Sequence, residues 1–280
     1  MPEQPRSGTL ALIARQVRFQ TLIFLRTPRA AFFVLFFPLF FMFLFNSLSG
    51  GERLDERGGL AFTQFFTPGI AVFAIISACY TNIGIGVSMA RDAGILKRVR
   101  GTPLPPWVYM AGRIGSSVLI GVVSVAVMLA VGYLAYGLRF FAGTFPAVVV
   151  TLVLGAACFC ALGLAVTTLV SSGEAAPATV NALLFPILFV SNIFFPVDAA
   201  PVWLRAIGWV FPIKHFAAQM QAAFDPRTIG SGFVLDHMLV MAVWFAAAMA
   251  FALKTFRWEP APAKSPRRRR ARAAAQGAAG

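Results

Sequence analysis

Charge is what this sequence has least of. Asp, Glu, Lys and Arg make up 12% of its 280 residues, half the share of roughly 25% found in an ordinary soluble domain. With 59% hydrophobic residues and 29 Phe, no water-soluble surface can be built, so the bilayer is the expected solvent. Acids are scarcer still, ten against 24 Lys and Arg, for a net charge of +14. The basic residues gather at a few places in the chain and no folded or repeated platform accompanies them, so a nucleic-acid partner is not expected. Cysteine is limited to Cys79, Cys158 and Cys160. They lie in apolar stretches, with no Cys-x-x-Cys pair and no histidine nearby, and read as small buried hydrophobes rather than a disulfide or metal set. The two histidines, His215 and His237, have no metal-ligand spacing. No nucleophile–base pair and no mid-span series of Asp, Glu or Arg is visible, which argues against an intramembrane enzyme and a proton-coupled pump. No cleavable signal peptide is evident at the start.

Long apolar runs are abundant instead. A transmembrane helix needs roughly 20 apolar residues, and six stretches qualify or nearly do: Ala30–Leu48, Ala71–Ala90, Ile114–Tyr136, Ala147–Val170, Ala178–Pro196 and Phe233–Leu253. Pro38 and Pro186 lie inside two of them and are expected to kink them. Most of the 24 basic residues fall before the first stretch, between the second and third, or after the last. By the positive-inside rule those segments and both termini are cytoplasmic. Before the first span, Gly8–Thr27 is long enough for a helix. Its Arg15, Arg18 and Arg26 share one side, and Leu10, Ile13, Val17 and Phe24 the other, the pattern of an interfacial amphipathic helix with arginines toward lipid phosphates. Residues 1–29 form this N-terminal part, 30–256 the six-helix domain, and 257–280 a basic, disordered tail beside anionic lipid. Sparse polar residues within or beside the spans, Thr81, Asn82, Asn181, Ser191 and Asn192, are expected to join helices.

The stretch Leu48-Ser49-Gly50-Gly51-Glu52 is similar to the LSGGQ signature loop of ABC ATPases. Its position, between the first two spans and away from the cytoplasm, is wrong for ATP. The Gly-x-x-x-x-Gly-Lys-[Ser/Thr] loop that holds nucleotide phosphates is missing. Gly50, Gly51, Gly58 and Gly59 are therefore read as loop residues.

Two other segments carry a more specific likeness. Arg91-Asp92-Ala93-Gly94-Ile95-Leu96-Lys97-Arg98, followed by Thr102-Pro103-Leu104, resembles the cytoplasmic signature of ABC type-2 permeases, with aspartate in place of the usual glutamate. The daunorubicin-resistance-type exporters are the nearest group. Phe195-Pro196, then Pro201-Val202-Trp203-Leu204, then Pro212-Ile213-Lys214-His215 resembles the outer re-entrant segment of the same family, with Asn192 where glycine is common. The resemblance implies an all-α membrane protein with six transmembrane helices, an N-terminal interfacial helix and an outer re-entrant hairpin, located in a bacterial cytoplasmic membrane. It implies a permease subunit that binds no cofactor, with ATP held by a separate ABC ATPase, and a second permease copy as partner. Residues 91–104 would couple to the ATPase, with Ile95 and Leu96 as apolar knobs and Arg98 as a rim charge. The expected cargo is a hydrophobic or amphiphilic, drug-like molecule. Export of lipid or a lipid-linked glycan is an alternative, and a non-transporting membrane scaffold is an alternative of another class.

Overall fold

The structure, a computed structural model, describes residues 8–49, 51–54, 58–194, 197, 200–256 and 258. Gly50, Phe195, Pro196 and the tail from Arg257 on, Trp258 excepted, lie outside the described residues. The described chain is built from helices, with one two-stranded hairpin. Helix α1 (Thr9–Leu25) leads into α2 (Pro28–Ala31), a π-helical turn at Phe32–Phe36 and α3 (Phe37–Leu48). Strands β1 (Arg53–Leu54) and β2 (Leu60–Ala61) pair antiparallel beyond it. Gly58 and Gly59, beside the turn, both have positive φ, as loop glycines do.

The central element runs from Phe62 to Asp92 as α4 (Phe62–Ile76), a second π turn (Ser77–Thr81) and α5 (Asn82–Asp92). The short α6 (Ile95–Arg100) follows. Then come α7 (Pro106–Tyr136), α8 (Phe145–Val166), α9 (Ala176–Phe189), α10 (Val202–Val210), α11 (Pro212–Phe224) and α12 (Leu235–Thr255). Among the described residues four helical segments are long and apolar enough to cross a membrane: Phe62–Asp92, Pro106–Tyr136, Ala142–Val166 and Leu235–Thr255. Two apolar helices, Val34–Leu48 and Ala176–Phe189, are shorter.

These boundaries depart from the sequence reading most at the second, third and fifth stretches: α7 begins eight residues before Ile114, at Pro106, and the other two departures have a clear physical reason. The second stretch begins nine residues before Ala71, at Phe62. Gln64, Thr67 and Pro68 interrupt the apolar run in sequence, yet all three are buried. Gln64 escapes the cost of burial by donating to the carbonyls of Arg139 and Phe224, at 2.8 and 2.6 Å, and accepting the Arg139 N–H at 3.0 Å. The fifth stretch ends at Phe189 rather than Pro196. Asn192 takes a left-handed φ of 58°, the conformation a glycine or asparagine tolerates. Its side chain accepts the Val197 N–H at 3.0 Å, which closes the turn.

Buried apolar side chains surround the central helix, with Phe65, Phe66, Ile70, Ile75 and Ile76 fully enclosed by α3, α7, α8 and α11. Here α8 comes close at Gly163, where a Cβ would sit 2.9 Å from the Tyr80 carbonyl oxygen and 3.0 Å from that of Cys79. Backbone cannot yield as a side chain can. Gly163→Ala is therefore expected to destabilise the chain by about 1–3 kcal/mol, seen as a lower thermal unfolding midpoint in detergent. An unchanged midpoint would mean that α8 shifts freely over the π turn. All three cysteines are buried in this region.

Helix α1 lies along the start of α7. Its inward side carries Gln16, Val17, Gln20, Thr21 and Phe24. The Thr21 and Ser116 hydroxyls share a hydrogen bond of 2.8 Å, and Arg113 donates to Gln20 at 3.4 Å. The side opposite the arginines thus packs on protein, with one exception: Leu10, expected there, is 82% exposed. Arg15 and Arg18 face outward.

Candidate functional site

The basic segment after α5 is shaped by three local devices. Gly94 adopts φ 70°, which turns the chain between α5 and α6. Thr102 donates its hydroxyl to the Val99 carbonyl at 2.7 Å and accepts the Leu104 N–H at 3.4 Å, closing the end of α6. Pro103 and Pro105 follow, and Pro106 opens α7, where its missing N–H costs nothing. Helix α6 therefore sits between two fixed corners.

Its side chains divide sharply. Leu96 is fully buried in the core of its own chain, whereas Ile95 is 44% exposed. Lys97, Arg98 and Arg100 face outward. The expectation that Ile95 and Leu96 both serve as knobs toward a partner is corrected for Leu96. A helix of six residues has to anchor itself, and Leu96 is the anchor. Met89 and Trp107, on either side of Ile95 in the chain, are also exposed.

Arg91 and Asp92 point elsewhere. Arg91 is buried and donates to the carbonyls of Thr167 at 2.9 Å and Val170 at 2.7 Å, just past the end of α8. A guanidinium at a helix C-terminus satisfies exposed carbonyls and opposes the negative end of the dipole. Asp92 accepts the Gly173 N–H at 3.1 Å. Gly173 is packed so closely that its Cβ would lie 3.1 Å from that of Asp92, so the shorter acid suits the spacing. These two contacts bind the end of α5 to the connection between α8 and α9. Sequence reading grouped both with the basic surface, because nothing local distinguishes a buried arginine from its exposed neighbours.

The second motif lies at the opposite end. Pro201 precedes α10, whose Val202, Trp203 and Trp209 are exposed. Phe211 is extended and reverses the chain, and Pro212 opens α11, which is buried along most of its length. The tip of this helix pair is fixed to α12. Trp244 donates to the Val210 carbonyl at 2.9 Å and its ring stacks on Phe211 at 5.8 Å. Trp244 lies nine residues into α12, about 13 Å from its start at 1.5 Å per residue, so the tip reaches well along that helix.

His215 and His237, unconnected in sequence, meet here with Nδ1 atoms 3.0 Å apart, and His215 Nε2 lies 2.9 Å from the Trp209 carbonyl. A carbonyl only accepts, so Nε2 of His215 carries the hydrogen, and in the neutral ring its Nδ1 accepts from His237. The 22-residue separation gave no spacing signal. A cavity of about 390 Å3 opens beside this cluster, lined in part by Arg205, Trp209, Lys214 and Gln221. A second, almost wholly apolar hollow of about 370 Å3 lies between α8, α9, α11 and α12, with Phe159, Leu184, Ile187 and Trp244 among its walls.

Residues 9–224 match the family described as ABC-2 type transporter. Over 231 residues the chain is 29% identical to the daunorubicin resistance ABC transporter permease protein DrrB1 of Streptomyces coeruleorubidus, covering 80% of this chain and 77% of that one. It is 26% identical over 181 residues to the probable multidrug ABC transporter permease YbhR of Escherichia coli K12, covering 61% of this chain and 49% of YbhR, about half its length. The inner membrane transport permease YadH of the same strain is 23% identical over 196 residues, covering 68% and 73%.

Proposed function

The chain belongs to the ABC-2 type transporter family, and from that premise we propose that it moves a hydrophobic or amphiphilic, drug-like molecule out of the cell, driven by a separate ABC ATPase. The family makes it a multi-pass membrane subunit and implies the ATPase as its associate. The observation that carries the finer reading is α6. It is a short rigid helix with Ile95, Lys97, Arg98 and Arg100 outward and Leu96 locked inward. A packed helix passes force into the spans where a loose loop dissipates it. Arg91, Asp92 and Gly94 shape the route. Motion at α6 pulls on the end of α5, and the bonds to residues 167–173 carry it to α8 and α9.

The cargo reading rests on the apolar hollow between α8, α9, α11 and α12, whose walls offer aromatic and aliphatic contact and hardly any polar group. A second copy of the chain completes the translocation path. The basic end faces the cytoplasm and the α10–α11 pair re-enters the membrane from outside. Pro201, Trp203, Pro212 and His215 shape that hairpin.

Purification of the chain with a candidate ABC ATPase tests this. The expected outcome is a stoichiometric complex whose ATP hydrolysis rises with apolar amphiphiles. A chain that forms no complex and supports no hydrolysis would instead be a scaffold. Orientation has its own test. A cysteine replacing Ile229, which is 98% exposed, should react with an impermeant maleimide on intact cells, and one replacing Gly101 should react only after lysis. The reverse pattern would invert the topology and remove α6 from the ATPase side.

A further inference from the structure

Helix α10 is held down at its C-terminal end by two ties of different chemistry. One is the bond from Trp244 to the Val210 carbonyl, beside the stack on Phe211. None of these groups titrates near neutral pH. The other is built on Trp209. Its carbonyl takes the Nε2–H of His215, and its ring lies 5.2 Å from the His215 ring and 5.7 Å from the His237 ring, centre to centre. The His215–His237 bond thus ties α10, α11 and α12 at one point. Of the three, α10 is the most lightly seated. Gly208 is its one buried residue, whereas α11 is buried along most of its length. Arg205 and Trp209 of α10 also wall the cavity of about 390 Å3, with Gln221 and Ala222 of α11 among the residues lining it.

The histidine bond, at 3.0 Å, holds only for some proton counts. Two neutral rings place one hydrogen between the facing Nδ1 atoms. One added proton, on Nε2 of His237, leaves that bond intact. A second sets N–H against N–H and cation against cation, and no arrangement of hydrogens restores it. The two rings differ in access: His215 is 3% exposed, and His237 is half-buried next to the exposed Asp236. Asp236 draws protons to His237, and Lys214, the residue before His215, repels them. Arg205 is the charged residue of α10. Helices α4, α8 and α9, also packed on α11 or α12, carry no charged side chain. Two cationic rings in contact need water, and the thin wall that can admit it is α10.

We infer that α10 is a flap over the cavity and the His215–His237 pair its acid-released latch. When the pair takes its second proton, α10 lifts and turns about the Val210–Trp244 tie, which acid does not break. Released rings bind two protons and latched rings at most one, so a fall in pH favours release. That the opened cavity discharges cargo to the outside rests on the exporter reading given above. The latch itself does not.

The test uses the full chain without ATPase or cargo, in nanodiscs of phosphatidylcholine. Nitroxide labels are placed by Val202→Cys, at the free end of α10, and Leu239→Cys on α12, which are 73% and 65% exposed. The native cysteines are buried. Label separation is measured by pulsed electron spin resonance at about pH 7.5 and about pH 5, either side of the ordinary histidine value of about 6.5. The expected result is a single short separation at the higher pH. At the lower pH a longer one should grow about fivefold or more in population, and revert when the pH is restored. His237→Asn sets an amide where Nδ1 stood, which bonds His215 but takes no proton. It should keep the short separation at both pH values. A separation that ignores pH in the parent overturns the latch, and that measurement needs no variant. So does an acid response in His237→Asn equal to the parent's, which would place the titrating group elsewhere. Neither outcome bears on whether an ATPase associates, so the two readings fail separately.

Discussion

Arg91→Met should destabilise the isolated chain by about 3–5 kcal/mol, the largest effect expected at any residue of the basic segment. The side chain is buried and makes two charge-assisted bonds, to the Thr167 and Val170 carbonyls. Each such bond contributes roughly 1.5–3 kcal/mol, and losing the donor leaves acceptors unpaired in a dry site. Methionine matches the length and apolarity of the stem, so packing loss is small and the figure reflects the bonds. Arg91→Lys keeps the charge but cannot span both carbonyls, and an intermediate loss is expected. Thermal unfolding followed by size exclusion in detergent would measure both. If Arg91→Met unfolds within about 1 kcal/mol of the parent, the clamp between α5 and residues 167–170 is ornamental and the proposed force path fails with it. If it unfolds early, the Arg-Asp start of the motif is a structural brace. The contact with the ATPase then belongs to residues further along.

Leu96→Ala and Ile95→Ala, one residue apart, should fail in different ways. Leu96 is fully enclosed by its own chain. Truncating such a leucine costs about 2–5 kcal/mol through lost burial and the cavity left behind. The isolated chain should therefore lose stability before any partner is added. Ile95 is 44% exposed, and its truncation should shift the chain's stability by under ~0.5 kcal/mol. Its effect should appear in the complex instead. An apolar anchor at the centre of an interface is worth more than ~1 kcal/mol, so ATPase affinity should fall by roughly fivefold or more. Arg98→Ala, at an exposed charge, should cost ~1 kcal/mol or less. The informative readout is the pair: unfolding of the isolated chain, and ATPase retained per permease at matched expression. Should Ile95→Ala bind ATPase normally while Leu96→Ala folds normally, α6 does not serve as the contact.

The apolar runs were legible because burial in lipid or in a helical bundle asks the same thing of a residue, and counting answers it. Counting fails where a polar residue is paid for by a partner far along the chain. Gln64 needs the carbonyls of residues 139 and 224, so the start of α4 was placed nine residues late. The break after α9 was half visible. Asn192 stood where glycine is common, and it does take a left-handed φ, but the helix stops at Phe189, before it. The inward turn of Leu96 could not be read, since six residues make fewer than two helical turns and define no face by periodicity. The histidine contact was out of reach for another reason. It depends on α10, α11 and α12 converging, and pairwise spacing holds no record of that. Arg15, Arg18 and the Val17–Phe24 side of α1 were separable because seventeen residues complete several turns.

The unequal lengths of the helices carry a consequence for the lipid around them. At 1.5 Å per residue the 31-residue α7 is about 46 Å long, and the 14-residue α9 about 21 Å. A hydrocarbon core of roughly 30 Å fits neither. Tilt alone cannot absorb the excess of α7, since bringing 46 Å down to 30 Å needs an inclination of about 50°, beyond the 0–40° seen for membrane helices. Its first turns must therefore stand clear of the acyl chains, and those are the turns that α1 covers at Gly112, Gly115 and Ser116. On the α9 side the deficit runs the other way. The backbone past Phe189 is irregular and would be intolerable against lipid tails. There Ser191 to Phe194 are buried, with Phe41, Phe73 and Phe189 packed around the Phe194 ring. On both flanks, then, packed protein rather than a change in bilayer thickness takes up the mismatch.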